Sequence, residues 1–245
     1  MESQVQIVLQ RWLNLVEVPE EDGFGFELDQ DSLADSMGLK LPSRSLGVIT
    51  AEVGGGKSLL CQRLTFGLLE NNAKVVYVTN ELTTRGWIEQ MHSIGYWVTD
   101  HIKSGKLLVM STFGSVADRV EGVVLDDLIQ SDALKVADVI IIDSFSELSK
   151  DVSASLILSK LRRFCSKGHT VILTCDPEQM DKNFIQQLRA TSEVALDLET
   201  AIIGGAMSRT IVVTRYLRAA GPLQSTIGWR VEPGMGFIVD ITAVS

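Results

Sequence analysis

The sequence predicts an α/β fold with a mostly parallel central sheet, flanking helices and an antiparallel extension at the C-terminal end. Two observations predict the parallel part. After residue 45, β-branched and apolar runs alternate with amphipathic helical patterns, and the runs are nearly continuous, as in strands buried on both faces. A third observation predicts the extension, because three β-rich stretches follow one another after residue 192.

Length and composition indicate one domain with a large core. The chain has 245 residues, of which 45% are hydrophobic, and its mean hydropathy is +0.19. We expect residues 1–24 to form an amphipathic helix and an acidic connector, and residues 25–245 to form the domain itself. No internal repeat is evident, so a tandem architecture is not expected.

The charge of the chain argues against a nucleic-acid-binding protein. The formal charge is −9 and the pI is near 4.9, so we do not expect a nucleic-acid-binding surface, which needs clustered Lys and Arg. One basic cluster lies on a predicted helix, and we interpret it as a solvated face or a partner surface. It consists of Lys160, Arg162, Arg163 and Lys167.

Cysteine usage and the termini predict the compartment. The three cysteines lack C-x-x-C spacing and lie in apolar patterns, which indicates buried thiols in a reducing compartment. The N-terminus lacks the basic region of a signal peptide, and no apolar run approaches the roughly 20 residues of a membrane span. We therefore expect a cytoplasmic protein that meets a membrane only through partners.

The main functional motif is a glycine-rich turn between a strand and a helix. The apolar run Leu46–Thr50 leads into three consecutive glycines, and Lys57 and Ser58 then open an apolar-periodic helix. This order is typical of a phosphate-binding loop, in which backbone N–H groups and a helix N-terminus hold an anion. Lys57 would reach the β- and γ-phosphates, and the Ser58 hydroxyl would bind Mg²⁺. The predicted nucleotide contacts in this loop are Val53, Gly54, Gly55, Gly56, Lys57, Ser58 and Leu59.

Ala51 departs from the strict motif G-x-x-x-x-G-K-[ST], because it stands where the first glycine is expected. Alanine tolerates fewer backbone conformations than glycine, so the loop shape and the nucleotide affinity are in question. The alternative interpretation is an ordinary glycine-rich turn. The strand before the loop and the helix after it favour the phosphate-binding loop.

The remaining patterns predict the other elements in chain order. Strands are predicted where β-branched or apolar residues run continuously, and helices where apolar residues recur every three or four positions. The predicted strands are 46–50, 74–79, 107–110, 137–144, 169–174, 193–198, 210–217 and 226–241, the last with a turn at 234–236. The predicted helices are 1–18, 57–70, 83–94, 120–134, 155–167 and 184–188.

The predicted strand around residue 140 carries a second functional signal. Four consecutive apolar residues end in Asp143, which is the pattern of a Walker B strand that delivers a carboxylate to Mg²⁺ or its water. Many buried strands end in aspartate, so the signal gains weight from its position downstream of the phosphate loop. We predict that Ser58 and Asp143 are the metal-binding residues. Ser144 follows where many P-loop enzymes have glutamate, so a catalytic base must come from elsewhere.

The predicted strand 169–174 ends in Thr174 at the same sheet edge. Its hydroxyl could sense the γ-phosphate, and we include Thr174 among the nucleotide contacts. The alternative is a plain polar turn between a strand and a loop.

Together these motifs resemble the RecA/KaiC branch of P-loop ATPases and, within it, the archaeal motility accessory family FlaH (ArlH). The most specific stretches are Tyr77–Thr84, Ile142–Ser144, Gly168–Thr174 with Pro177, and Arg230–Phe237. The similarity covers residues from roughly 25 to 242. It implies a RecA-like fold, ATP and Mg²⁺ as ligands, and a homo-oligomeric ring, expected to be a hexamer, beneath the archaellum motor.

The resemblance also implies partners and further site residues. The partners are the motor ATPase FlaI and the membrane platform protein FlaJ, which would place the chain at the cytoplasmic face of the membrane. Glu81 matches the glutamate that activates the attacking water in relatives; the alternative is a surface carboxylate that caps the helix beginning near Thr83. KaiC relatives reach a neighbour's γ-phosphate with a Lys-x-Arg pair, and Arg215 or Arg218 could act in this way despite a different spacing.

Three functions remain open at this point. With Ala51 in the loop and no acidic residue after Asp143, we expect slow or absent hydrolysis. The first hypothesis is therefore an ATP-binding regulatory subunit whose nucleotide state controls ring assembly and docking to the motor ATPase. The second is an active KaiC-like ATPase with Glu81 as its base. The third is a RecA-like DNA-binding ATPase, which shares the fold but is disfavoured by the acidic charge.

Overall fold

The computed structural model describes residues 22–113, 129–148 and 153–240. The predicted N-terminal helix and most of the predicted helix 120–134 lie outside these ranges. Within them, the chain forms a nine-stranded sheet covered by helices and a small two-stranded sheet. This mixed architecture confirms the predicted fold class.

The described strands are numbered in chain order. They are β1 Phe24–Gly25, β2 Lys40–Leu41, β3 Leu46–Thr50, β4 Val75–Thr79, β5 Leu107–Ser111, β6 Val139–Asp143, β7 Thr170–Cys175, β8 Val194–Ile203, β9 Ala206–Tyr216, β10 Thr226–Glu232 and β11 Gly236–Asp240. The large sheet has the order β11-β10-β9-β8-β3-β7-β6-β4-β5, and β1 pairs with β2.

The described helices are numbered in the same way. They are α1 Leu33–Ser36, α2 Lys57–Glu70, α3 Thr84–Ser93, α4 Thr99–Lys103, α5 Asp132–Lys135, α6 Phe145–Leu148, α7 Ala154–Ser166 and α8 Lys182–Thr191. Helices α2, α3, α6 and α8 each follow a parallel strand or the loop after it.

The parallel strands are buried because apolar side chains cover both faces of the sheet. Every residue of β3, β4, β6 and β7 is buried. One core cluster, which contains Tyr77 and Trp87, packs against α2 and α3. A second, which contains Phe145 and Leu161, packs against α6, α7 and α8. Continuous apolar runs therefore predicted these strands correctly, since a sheet with one solvated face would show alternation.

The C-terminal strands turn the sheet antiparallel, as predicted. β8 is parallel to β3, whereas β9, β10 and β11 are each antiparallel to the strand before them. β8 and β9 are longer than predicted, and their residues 201–208 pair with each other beyond the ends of β3 and β10. We call this segment the β8–β9 arm. Its tip exposes Ile202, Ile203 and Met207.

One local prediction was wrong, and several short elements were not predicted. The predicted helix 120–134 is interrupted at Ser131, which has an extended backbone with φ −60° and ψ 134°. The Ser131 hydroxyl accepts a hydrogen bond from the Ala133 N–H at 3.2 Å and caps α5, as serine does at helix starts. Sequence analysis also missed α4, because Ile102 is the single apolar residue among its five.

The cysteines and the basic cluster lie as predicted. All three cysteines are buried and unpaired, and burial raises the pKa of the Cys165 and Cys175 thiols to about 12, which disfavours the nucleophilic thiolate. Arg162 and Arg163 of the basic cluster are exposed on α7, and Lys167 is exposed directly after its end. None of the helices within the described ranges is both long enough and apolar enough to cross a membrane.

A buried ion pair joins the segment before β2 to α2. Arg63 donates through Nε to Asp31 Oδ2 at 2.7 Å and through Nη2 to Asp31 Oδ1 at 2.6 Å, and both side chains are fully buried. Arg63 Nη1 also donates to the Phe26 carbonyl at 2.7 Å. These parallel bonds satisfy both charges and fix the segment against the helix that follows the glycine-rich loop.

Asp31→Ala would leave the Arg63 guanidinium buried without its counter-charge. We expect the free energy of unfolding to fall by about 3–5 kcal/mol, measured by urea denaturation. Asp29→Ala is the matched control, because Asp29 is exposed two positions away. We expect the control to stay within about 0.5 kcal/mol of wild type. Equal denaturation midpoints for the two variants would contradict a structural role for the pair.

Candidate functional site

A cavity of about 400 Å³ lies at the C-terminal edge of the parallel strands. The register brings the strand ends together, since Thr79 of β4 pairs with Asp143 of β6 and Thr50 of β3 pairs with Cys175 of β7. Ligands bind at this edge in open α/β sheets. The lining residues are Val53, Gly54, Gly56, Lys57, Ser58, Leu59, Asn80, Glu81, Ser144, Ser146, Asp176 and Gln179.

Most of the predicted site residues lie on the wall of this cavity. The exceptions are Gly55, Asp143 and Thr174, which are buried next to it. Sequence analysis assigned no role in the site to Ser146 or Gln179, although both follow a strand that ends at this edge. Position just after a buried parallel strand was the signal that could have found them.

The glycine-rich loop has a backbone that requires glycine. Gly56 has φ +92°, and a Cβ on it would lie 2.5 Å from the Trp229 ring. Gly55 is required for a different reason, because a Cβ there would lie 2.7 Å from the methyl group of Ala51. Close neighbours within the chain therefore require glycine at both positions.

Ala51 is accommodated in this loop. It is buried, and unlike Gly54 and Gly56 it does not have a positive φ, so its backbone conformation suits a residue with a side chain. Its methyl group occupies the space above Gly55. The departure from the strict motif is thus compensated by a neighbouring glycine.

The Lys57 side chain lies across the mouth of the loop. Its Nζ donates to the Ala51 carbonyl at 2.8 Å and to the Glu52 carbonyl at 3.0 Å. An ammonium group has three donors, so one remains for an anion. Lys57 begins α2, so the positive end of that helix faces the same point.

Asp143 is a buried carboxylate that accepts hydrogen bonds from hydroxyl groups. Tyr77 donates to Oδ2 at 2.7 Å, Thr174 donates to Oδ1 at 2.8 Å, and Ser58 donates as well. Burial raises the pKa of Asp143 above its ordinary value, and these hydrogen bonds oppose the rise. Asp143 is 2% exposed, so the geometry favours action through Ser58 or a water molecule over direct contact with a ligand.

The Thr174 hydroxyl is fully engaged beside the cavity. It donates to Asp143 and accepts a hydrogen bond from the Ser144 N–H at 2.6 Å. Thr174 is fully buried, so its hydroxyl supports the carboxylate rather than facing the cavity.

Glu81 is exposed on the cavity wall, and its Oε1 accepts a hydrogen bond from the Ser144 hydroxyl at 2.5 Å. The helix that follows is capped by a different residue, since the Thr83 hydroxyl accepts from the Gly86 N–H at 3.0 Å. Glu81 is therefore not the cap of α3, and its carboxylate is available at the cavity.

The oxygen atoms around the cavity fit a hard cation that is held mainly by phosphates. Among the described residues, no group of three His, Cys, Asp or Glu side chains could enclose a metal ion. Mg²⁺ typically uses one or two protein oxygens together with phosphate and water. Ser58 and Asp143 provide such oxygens, and the buried Asn80 Oδ1 has no hydrogen-bond partner within the described chain.

The two arginines considered for action on a neighbouring subunit lie in different environments. Arg218 donates to the Asp22 carboxylate and, at 2.7 Å, to the Ser43 carbonyl, so it is engaged within its own chain. Arg215 is exposed and lines another cavity of about 350 Å³ together with Arg189. Neither arginine lines the cavity beside the loop.

Comparison with known sequences finds one matching family and similar proteins from archaea. The family described as "ATPase: KaiC" matches residues 31–225. The archaeal flagellar ATP-binding protein FlaH of Methanocaldococcus jannaschii is 31% identical over 224 residues, which cover 89% of this chain and 96% of that protein. FlaH of Methanococcus voltae is 29% identical, with 89% of this chain and 97% of that protein covered.

Solved structures agree with the sequence comparisons. The crystal structure of the flagellar accessory protein FlaH from Methanocaldococcus jannaschii matches with a TM-score of 0.83 and 30% identity, and the match covers 90% of this chain and 100% of that one. A KaiC-like protein from Pyrococcus horikoshii matches with a TM-score of 0.68 at 14% identity and covers 90% of this chain and 97% of that one. The second match shows a shared fold.

Gly56→Ala tests whether Trp229 shapes the loop. We expect a loss of about 2–4 kcal/mol in unfolding free energy, because the variant combines a left-handed backbone with a clash against the indole ring. Gly54→Ala is the matched control, since Gly54 has φ +79° but nothing within 4 Å of its would-be Cβ. It should lose about 1–2 kcal/mol from the backbone alone. Equal losses in urea denaturation would show that the ring does not constrain the loop.

Proposed function

This chain belongs to the KaiC family of ATPases and, within it, to the archaeal flagellar FlaH family, and on that premise we propose that it is an ATP-binding regulatory and assembly subunit of the archaellum motor. In this proposal, its nucleotide state controls assembly of a homo-oligomeric ring, a hexamer, and docking to the motor ATPase FlaI. FlaJ, the platform protein, then holds the assembly at the cytoplasmic face of the membrane. Hydrolysis is slow or absent.

The observation that carries this proposal is the end of the cavity that the glycine-rich loop lines. Gly54, Gly56, Lys57 and Ser58 line it together, at the positive end of α2. A cavity of about 400 Å³ is large enough for a nucleotide, since ligand pockets typically measure about 300–1,000 Å³. The names of the relatives make ATP the proposed ligand.

The proposed division of roles follows from the contacts. Backbone N–H groups of residues 54–58 and the Lys57 ammonium bind the phosphates. Ser58 binds Mg²⁺, and Asp143 orients the Ser58 hydroxyl and the metal-bound water. Bound Mg²⁺ would neutralise charge on the phosphates. Residues 25–245 form the ATP-binding domain in this proposal, with residues 1–24 as an extension.

Assembly is supported by the apolar tip of the β8–β9 arm. Ile202, Ile203 and Met207 are 81%, 67% and 61% exposed, and clustered apolar side chains on a surface mark interaction sites. Both candidate arginines are exposed, but Arg218 is held by Asp22 and Ser43, so Arg215 on β9 is the better of the two for contact with a neighbour. The charge of −9 gives no support to a DNA-binding role.

An actively hydrolysing KaiC-like ATPase is the second candidate, favoured by the position of Glu81. The Glu81 carboxylate lies on the cavity wall, and a general base must be within hydrogen-bond reach of the water that it activates. The two candidates bind the same ligand and differ in the rate of phosphate release.

Lys57→Ala tests nucleotide control. We expect ATP affinity to fall about 10- to 100-fold, because a charge-assisted contact is lost, and ATP-dependent oligomer formation to disappear with it. Isothermal titration calorimetry and mass photometry, with and without Mg-ATP, measure these two quantities. Lys182→Ala is the matched control, since Lys182 is exposed on α8. Unchanged affinity and unchanged oligomer mass in Lys57→Ala would refute the proposal.

Glu81→Gln separates the two candidate functions. We expect ATP affinity to be retained and any slow phosphate release to fall by about 10²- to 10⁴-fold, as for loss of a general base. Release is measured at saturating Mg-ATP, with bound nucleotide quantified in parallel. Glu89→Gln, on the exposed face of α3, is the control. Equal phosphate release from wild type and Glu81→Gln would show that Glu81 is not a general base. ATP would then be a structural ligand.

A further inference from the structure

The residue after Asp143 connects two parts of the candidate site. The Ser144 N–H donates to Thr174 Oγ1 at 2.6 Å, and Thr174 in turn donates to Asp143. The Ser144 carbonyl accepts a hydrogen bond from Asn80 Nδ2 at 3.1 Å. The Ser144 hydroxyl donates to Glu81 Oε1 at 2.5 Å. One residue thus joins the buried carboxylate network to the carboxylate on the cavity wall.

The backbone of Ser144 has an unusual conformation for a residue with a side chain. Its φ is +64°, in the left-handed region that favours glycine. Such a conformation persists in other residues where the surroundings fix it, and it concentrates at functional sites. Here the contacts with Thr174 and Asn80 hold the N–H and the carbonyl of Ser144. As a result, the side chain lies on the cavity wall, whereas the preceding Asp143 is buried.

Glu81 needs such a contact because its own surroundings restrain it little. The residue is exposed, and it lies in the short segment between β4 and α3. A long side chain loses rotamer freedom when it is held in one orientation, so a compensating contact is required. A hydroxyl that donates to a carboxylate makes a charge-assisted bond, which is stronger than a bond between neutral groups.

We propose that Ser144 is a positioning residue whose hydroxyl holds the Glu81 carboxylate at the cavity wall. This inference rests on the ATP binding of the proposed function and on the second candidate for its chemistry, in which Glu81 is the general base of hydrolysis. In that step the water oxygen bonds to the γ-phosphorus, the bond to the β–γ bridging oxygen breaks, and Glu81 takes the water proton. ADP and phosphate are the products. Ser144 keeps its own proton and acts through Glu81.

The test compares Ser144→Ala and Ser144→Gly in the full chain, by single-turnover hydrolysis of Mg-ATP followed over hours. We expect both variants to lower the rate about 10- to 100-fold, because both remove the hydroxyl. The Kd for ATP should stay within about threefold, since the hydroxyl that is removed bonds Glu81 and is assigned no role in binding the ligand. Ser144→Gly should unfold at a urea concentration no lower than wild type, because glycine adopts this backbone without strain.

A second comparison tests whether Ser144 acts through Glu81. In the Glu81→Gln background, Ser144→Ala should change the residual rate by less than about twofold, because coupled residues are not additive. Ser166→Ala is the control, since its hydroxyl bonds the Arg163 carbonyl on the exposed surface of α7.

Three results would overturn the inference. They are a wild-type rate in Ser144→Gly, an undiminished effect of Ser144→Ala in the Glu81→Gln background, and wild-type turnover no faster than that of Glu81→Gln. Each of these leaves ATP binding intact. Failure of the wild-type chain to bind ATP would instead contradict the proposed function, so the two failures are distinguishable.

Discussion

The buried carboxylate of Asp143 constrains the rest of the structure. A charge removed from water is unfavourable unless hydrogen bonds compensate it, and here hydroxyls of Tyr77, Ser58 and Thr174 provide them. These groups come from β4, α2 and β7, while Asp143 ends β6. The carboxylate is satisfied only when the strand order β4-β6-β7 and the position of α2 are all correct. Fold and site therefore depend on the same contacts.

The glycine-rich loop is shaped by the part of the chain that folds around it from the C-terminal end. Trp229 of β10 contacts Gly56, stacks on Phe237 at 4.7 Å, and lies beneath the Arg209 guanidinium at 5.6 Å. The Phe237 N–H donates to Tyr96 Oη at 2.9 Å. Since Arg209 adjoins the β8–β9 arm on the same strand, continuous packing joins the loop to the surface that we propose for assembly.

Two carboxylates beside the cavity have contrasting environments. Asp143 is buried among hydroxyl donors, which suits a fixed group that orients other atoms, whereas Glu81 is exposed and held by one hydroxyl. In our proposal, the exposed carboxylate accepts a proton and the buried one orients a metal-bound water. Ser144 contacts both Thr174, which bonds Asp143, and Glu81. A serine directly after Asp143 is therefore compatible with Glu81, just beyond β4, as the proposed general base.

Local sequence patterns determined the buried parallel strands and the edge at which the site forms. Continuous apolar runs predict β3, β4, β6 and β7, because a strand buried on both faces needs apolar side chains throughout. The Gly-Lys-Ser turn predicts the loop, because Gly54 and Gly56 adopt the positive φ that such a turn uses. The patterns could not exclude Glu81 as a helix cap, nor orient the Thr174 hydroxyl.

Only the tertiary structure decided which side chains meet at that edge. Ser144 and Glu81 are separated by 63 positions in the chain, and Tyr77 and Asp143 by 66. The contact between Gly56 and Trp229 joins a loop near the start of the domain to a strand near its end. The left-handed backbone of Ser144 likewise depends on bonds to Thr174 and Asn80. No local pattern encodes such contacts, because they arise from the order in which strands pair and from the packing of helices on the sheet.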